Sequence, residues 1–123
     1  MLNDAESCRF KKIYIALGYT DLRRGIDGLA QIIKCQFHLD PYDKNTLFLF
    51  CGRRTDRIKG LLWEGDGFLL LYKRLGSGGA FNWPRTTNDV LAITPDQYRA
   101  LMQGLEIIAR HPITEIDGSR LLV

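Results

Sequence analysis

Leu47-Phe48-Leu49-Phe50-Cys51, the turn Gly52-Arg53-Arg54-Thr55, the stretch Arg57-Ile58-Lys59 running into Leu61-Leu62-Trp63, then Glu64-Gly65-Asp66-Gly67 and Phe68-Leu69-Leu70-Leu71-Tyr72 together decide the fold. The first run is short, continuous and apolar, as a buried central strand is. Arg57-Ile58-Lys59 alternates in polarity, the period of a strand. Asp66-Gly67 is a short-range hairpin signal, so residues 68–72 read as the returning strand. Strands joined in sequence by tight turns predict an antiparallel or mixed sheet.

Toward the N-terminus, Lys12-Ile13-Tyr14-Ile15-Ala16 is rich in β-formers and reads as another strand, ended by Gly18. Thr20 is expected to cap a helix, with Asp21 in its first turn near the positive end of the dipole. Leu22, Ile26, Leu29, Ile33 and Phe37 recur every three or four residues and give that helix one apolar face. Residues 38–45, with Asp40-Pro41 and Asp43-Lys44-Asn45, read as a loop.

Toward the C-terminus, Lys73-Arg74 leads into the flexible turn Gly76-Ser77-Gly78-Gly79. Ala80-Phe81-Asn82-Trp83 is expected to form a short strand stopped by Pro84, and Val90-Leu91-Ala92-Ile93 a further one. Thr94, Pro95 and Gln97 open a second helix with a capping box and proline at the first helical position. Tyr98, Leu101, Met102, Leu105 and Ile108 make its apolar face, and Pro112 ends it. The expected fold is α+β: a mostly antiparallel or mixed sheet of about five to six strands with two principal helices packed on it. A chain of 123 residues forms one domain, spanning 1–123, with 1–9 and 112–123 as peripheral or flexible ends.

Hydrophobic residues make up 46% and charged residues 25%, which excludes disorder as the default. No stretch approaches the roughly 20 apolar residues of a membrane span. The first seven residues lack a basic start and an apolar core, so a cytoplasmic location is expected. Cys8, Cys35 and Cys51 are widely spaced and odd in number, which argues against a disulfide framework and a metal site. Cys35 and Cys51 sit in apolar patterns, where cysteine behaves as a small hydrophobe.

Enzyme signatures are missing. Residues 76–79 lack the Lys-Ser/Thr ending of a phosphate-binding loop, and Gly65-Asp66-Gly67 lacks the alternating oxygen ligands of a calcium loop. His38 and His111 are isolated, and no set of carboxylates stands out for a two-metal nuclease. No catalytic residue, metal or cofactor is therefore expected.

Charge is distributed unevenly. The net charge is +3. Residues 53–85 hold seven basic and three acidic side chains, while the rest of the chain holds ten and eleven. Folding residues 57–74 into a hairpin would bring Lys73 and Arg74 toward Arg53 and Arg57. The candidate nucleic-acid-binding residues are thus Arg53, Arg54, Arg57, Lys59, Lys73 and Arg74, with Trp63, Tyr72, Phe81 and Trp83 near enough in sequence to stack on bases. Two other readings stay open. In one, the aromatics are core and the charges a solvated rim partnered by Asp56, Glu64 and Asp66. In the other, Trp63, Phe81 and Trp83 form an exposed apolar patch that docks on a protein.

Four segments carry a family likeness: residues 19–29 (Tyr19-Thr20-Asp21-Leu22-Arg23-Arg24-Gly25 onward), 53–59, 62–68 (Leu62-Trp63-Glu64-Gly65-Asp66-Gly67-Phe68), and Tyr72-Lys73-Arg74-Leu75 leading to Phe81-Asn82-Trp83-Pro84. In this order they resemble the TnpB accessory proteins of the insertion sequence 66 family, over about residues 10 to 108. The resemblance implies a bacterial mobile element and a non-catalytic role in transposition alongside a separate transposase. Implied partners are that transposase, other element-encoded accessory proteins and DNA, with no membrane. It implies no active-site residues.

Overall fold

The computed structural model describes residues 10–85 and 89–103. Five strands are present among them: β1 (Lys12–Ala16), β2 (Thr46–Cys51), β3 (Arg57–Trp63), β4 (Phe68–Arg74) and β5 (Val90–Ile93). They form one sheet in the order β4-β3-β2-β1-β5. β2, β3 and β4 pair as an antiparallel meander, β1 lies parallel to β2, and β5 returns antiparallel to β1. The sheet is mixed and the fold α+β, as expected.

Alternation sends the side chains of each strand to two different layers. Ile13, Ile15, Leu47, Leu49, Cys51, Ile58 and Leu62 face one layer, which holds helix α2 (Pro95–Met102) through Tyr98, Leu101 and Met102. Ala16, Phe48, Phe50 and Leu61 face the other, which holds helix α1 (Ile26–Gln31) through Leu29. The two helices thus cover opposite faces, and β2 is buried along its whole length. Tyr14 and Phe48, neighbours in the parallel β1–β2 register, stack at 5.5 Å between centroids. Gly60 on β3 leaves room for two side chains of the neighbouring β2: a Cβ there would come within 3.3 Å of methyl groups of Leu47 and Leu49.

Helix α2 begins as its sequence predicts. The Thr94 hydroxyl accepts from the Gln97 backbone N–H at 3.1 Å, and the Gln97 side chain accepts from the Thr94 N–H at 2.8 Å. The expected apolar-face residues Leu105 and Ile108, the stop at Pro112, the two chain ends, Cys8 and His111 all lie outside the described residues. The β3–β4 hairpin also forms, closed by Glu64 N–H donating to Gly67 O at 2.9 Å. Its left-handed residue is Gly65, at φ +99°, rather than the glycine of the Asp-Gly pair.

Four expectations are corrected. Thr20 caps no helix: its N–H donates to Cys51 O at 2.8 Å, tying the β1 exit to the end of β2. Helix α1 starts only at Ile26 and runs on into a π-helical stretch, Ile32–Gln36. Residues 80–83 make no strand. Phe81 N–H donates to Thr55 O at 2.7 Å, while Phe81 and Trp83 sink into the layer of α2. Cys35 is exposed rather than packed as a hydrophobe, whereas Cys51 is buried.

Candidate nucleic-acid interface

The basic residues of the hairpin are sorted by the pleat. Arg57 lies directly opposite Arg74 and Lys59 opposite Tyr72, so these four side chains share the α1 face of the sheet. Lys73 pairs with Ile58, a residue of the α2 layer, and so stands on the other face. It is separated from the remaining five candidates.

Beyond the ends of β1 and β2, the two exit loops converge. The β1–α1 loop contributes Tyr19 to Arg23, and the β2–β3 turn contributes Gly52, Arg53 and Arg54. Together with Arg57 and Tyr72 they line an open groove of about 510 Å³. Ligand sites in α/β sheets commonly form where loops leave the carboxyl ends of parallel strands, and β1 and β2 are the parallel pair here. Four arginines line the groove (Arg23, Arg53, Arg54 and Arg57) against one aspartate, Asp21.

The state of each cation differs. Arg23 grips Asp21 with Nε at 2.9 Å from Oδ1 and Nη2 at 2.9 Å from Oδ2, yet its side chain stays 91% exposed. That contact pulls the Asp21 carboxyl down to about 2, so the pair persists at any physiological pH. Arg57 is engaged by Asp56 at 2.9 Å, which lowers the acidity range of Asp56 and raises that of the guanidinium. Lys59 Nζ donates to Arg24 O at 3.0 Å. Arg53 donates to the Tyr19 hydroxyl at 2.9 Å, with its guanidinium 4.4 Å from that ring's centre. Among the described residues no carboxylate pairs with Arg53, Arg54, Lys59 or Arg74.

Arg85 holds the two loops together. Its guanidinium donates to Gly18 O at 2.8 Å and Gly52 O at 2.5 Å, one carbonyl from each loop. It also lies 5.8 Å from the centre of the Tyr19 ring. Burial pushes the neighbouring Cys51 thiol up to about 11, and the Arg85 charge opposes that rise. Trp83 anchors the same segment: its indole N–H donates to Ala16 O at 2.8 Å in the core.

Of the four aromatics expected near the bases, only Tyr72 is exposed. Phe81 and Trp83 are buried, and Trp63 packs edge-on against Tyr42 and Phe68. The apolar docking patch expected of Trp63, Phe81 and Trp83 therefore does not form. Tyr19, Arg23 and Arg85 belong to the site but were not singled out by sequence. Their convergence depends on β1 lying beside β2, which no local pattern reports.

A family model described as IS66 Orf2 like protein matches residues 11–112. The chain belongs to this family. Two relatives from Sinorhizobium fredii (strain NBRC 101917 / NGR234) are similar to this IS66 Orf2-like protein along most of its length. The uncharacterized protein y4hO is 38% identical over 82% of this chain and 84% of its own. The uncharacterized protein y4jC is 33% identical over 77% and 80%. No solved structure gives a significant match. The family is an accessory one in insertion-sequence transposition and is not known for catalysis. No helix among the described residues is long and apolar enough to cross a membrane.

Proposed function

We propose that this IS66 Orf2-like protein is a non-catalytic accessory factor of transposition that holds nucleic acid in the arginine groove. The observation that carries the reading is the convergence of Arg23, Arg53, Arg54 and Arg57 on one open trough with a single aspartate. Arg53 and Arg54 are exposed, and no carboxylate among the described residues pairs with them, so their charge is available to phosphates. Lys59 and Arg74 extend the same charged face along the hairpin. Guanidinium groups suit this task because their planar fork meets two phosphate oxygens at once.

Fluorescence anisotropy with labelled DNA from the element ends, read over a salt series, tests the reading. Log affinity should fall linearly with log salt, by about 0.7 to 0.9 per phosphate contact. Replacing both Arg53 and Arg54 by Ala should remove roughly two contacts from that slope, with the unfolding midpoint unchanged. Wild-type protein that leaves the DNA free at low salt would refute it.

A further inference from the structure

The groove has two kinds of wall. Arg23, Arg53 and Arg54 supply charge, and Tyr19 and Tyr72 supply aromatic rings that are 54% and 52% exposed. With Tyr42, these are the large apolar side chains most open to solvent among the described residues. Tyr19 is held in place by Arg53 at its hydroxyl and by guanidinium groups near its ring. Tyr72 stands on the α1 face of an edge strand, with Lys59 Nζ 6.0 Å from its ring centre.

Phosphates alone give such rings nothing to do. In a duplex the bases are stacked on one another, so their faces are closed to a protein ring. Unpaired bases offer a π-face that stacks on aromatics regardless of sequence. The shape points the same way. Duplex readers push a helix or ribbon into a groove about 12 Å wide. Here the arginines line a concavity, about 510 Å³ in volume, which receives a guest rather than entering one.

We infer that the groove takes single-stranded DNA, with phosphates along Arg23, Arg53 and Arg54 and an unpaired base stacked on Tyr72. This deepens the nucleic-acid reading above and rests on it. The test compares full-length protein binding to a labelled 20-nucleotide thymidine strand, to a mixed-sequence strand and to the duplex of that strand, all at one salt concentration. Single strands should bind at least about tenfold more tightly than the duplex. Tyr72→Ala should weaken single-strand binding by roughly five- to a hundredfold, the range for one lost base–aromatic stack, and weaken duplex binding by a smaller factor. Tyr72→Phe should restore it. Equal or tighter binding of the duplex, or an unaffected Tyr72→Ala variant with a native unfolding midpoint, would overturn the single-strand assignment while leaving DNA binding intact. Failure to bind any of the three probes would bring down the parent reading as well.

Discussion

Replacing Arg85 by Met tests how the groove is held open. The two shortest hydrogen bonds of the wild-type guanidinium, both charge-assisted, go to Gly18 O and Gly52 O from a half-buried position. Bonds to a charged group contribute roughly 1.5–3 kcal/mol each when the partners cannot all be rehydrated. Partial exposure lets water replace some of that, so about 1–2 kcal/mol per bond applies. The expected loss is about 2–4 kcal/mol, a large share of the roughly 5–15 kcal/mol that holds a domain together. With a urea slope of about 2 kcal/mol per molar, the midpoint should drop by about 1–2 M. Tryptophan fluorescence reads this directly, since Trp83 sits two residues away in the core. Arg85→Lys keeps the charge but lacks the planar fork, so it should recover less than half of the loss. DNA affinity in both variants should fall more than removal of a single charge explains, because the loops carrying Tyr19 and Arg53 are no longer tied together. A midpoint within about 0.3 M of wild type for Arg85→Met would refute the clamp, since that corresponds to well under 1 kcal/mol.

Trp83→Phe deprives Ala16 O of its buried indole donor and should cost about 1–3 kcal/mol by the same urea assay. Thr94→Ala removes the hydroxyl half of the α2 capping box and should cost about 1 kcal/mol, with α2 helicity reduced in circular dichroism. In a Cys8→Ser background a thiol reagent at pH 8 should modify Cys35 at once and Cys51 only on unfolding, because Cys51 is buried and its thiol stays protonated. The same thiol links stability to alkaline pH. Its value rises from 9.0 to about 11 on folding, so the neutral form favours the fold. Its contribution is fully present below pH 9 and is lost as pH climbs toward 11. Stability measured between those limits should fall less steeply in Cys51→Ala than in wild type.

The meander was legible because its signals are local. A continuous apolar run needs burial on both faces, and β2 obtains it from the α1 and α2 layers on the two sides of the sheet. The α2 start was legible for the same reason, since Thr94, Pro95 and Gln97 satisfy the helix end among themselves. Thr20 misled because a hydroxyl before an acidic residue is also what a cap looks like. The tie of its N–H to Cys51 O comes from a neighbour far away in sequence, and it sets residues 20–23 into a groove wall. Phe81 and Trp83 misled in a different manner. Their β-prone, alternating side chains do go inward, but the backbone finds Thr55 O rather than a ladder partner. At the site, strand period alone places Arg57, Lys59 and Arg74 on one face and exiles Lys73. Tyr19, Arg23 and Arg85 needed the strand order before they had a role.

The place of β1 between β2 and β5 has a further consequence for how the molecule matures. The meander of residues 46–74 closes through short loops at little entropic expense, but β1 must recruit Leu47 on one side and Ile93 on the other, across long intervening chain. A nascent polypeptide therefore carries its arginines well before it owns a trough to set them in. The groove is complete only when the β1 exit, the β2 exit and the Arg85 segment meet, so its assembly falls late in folding.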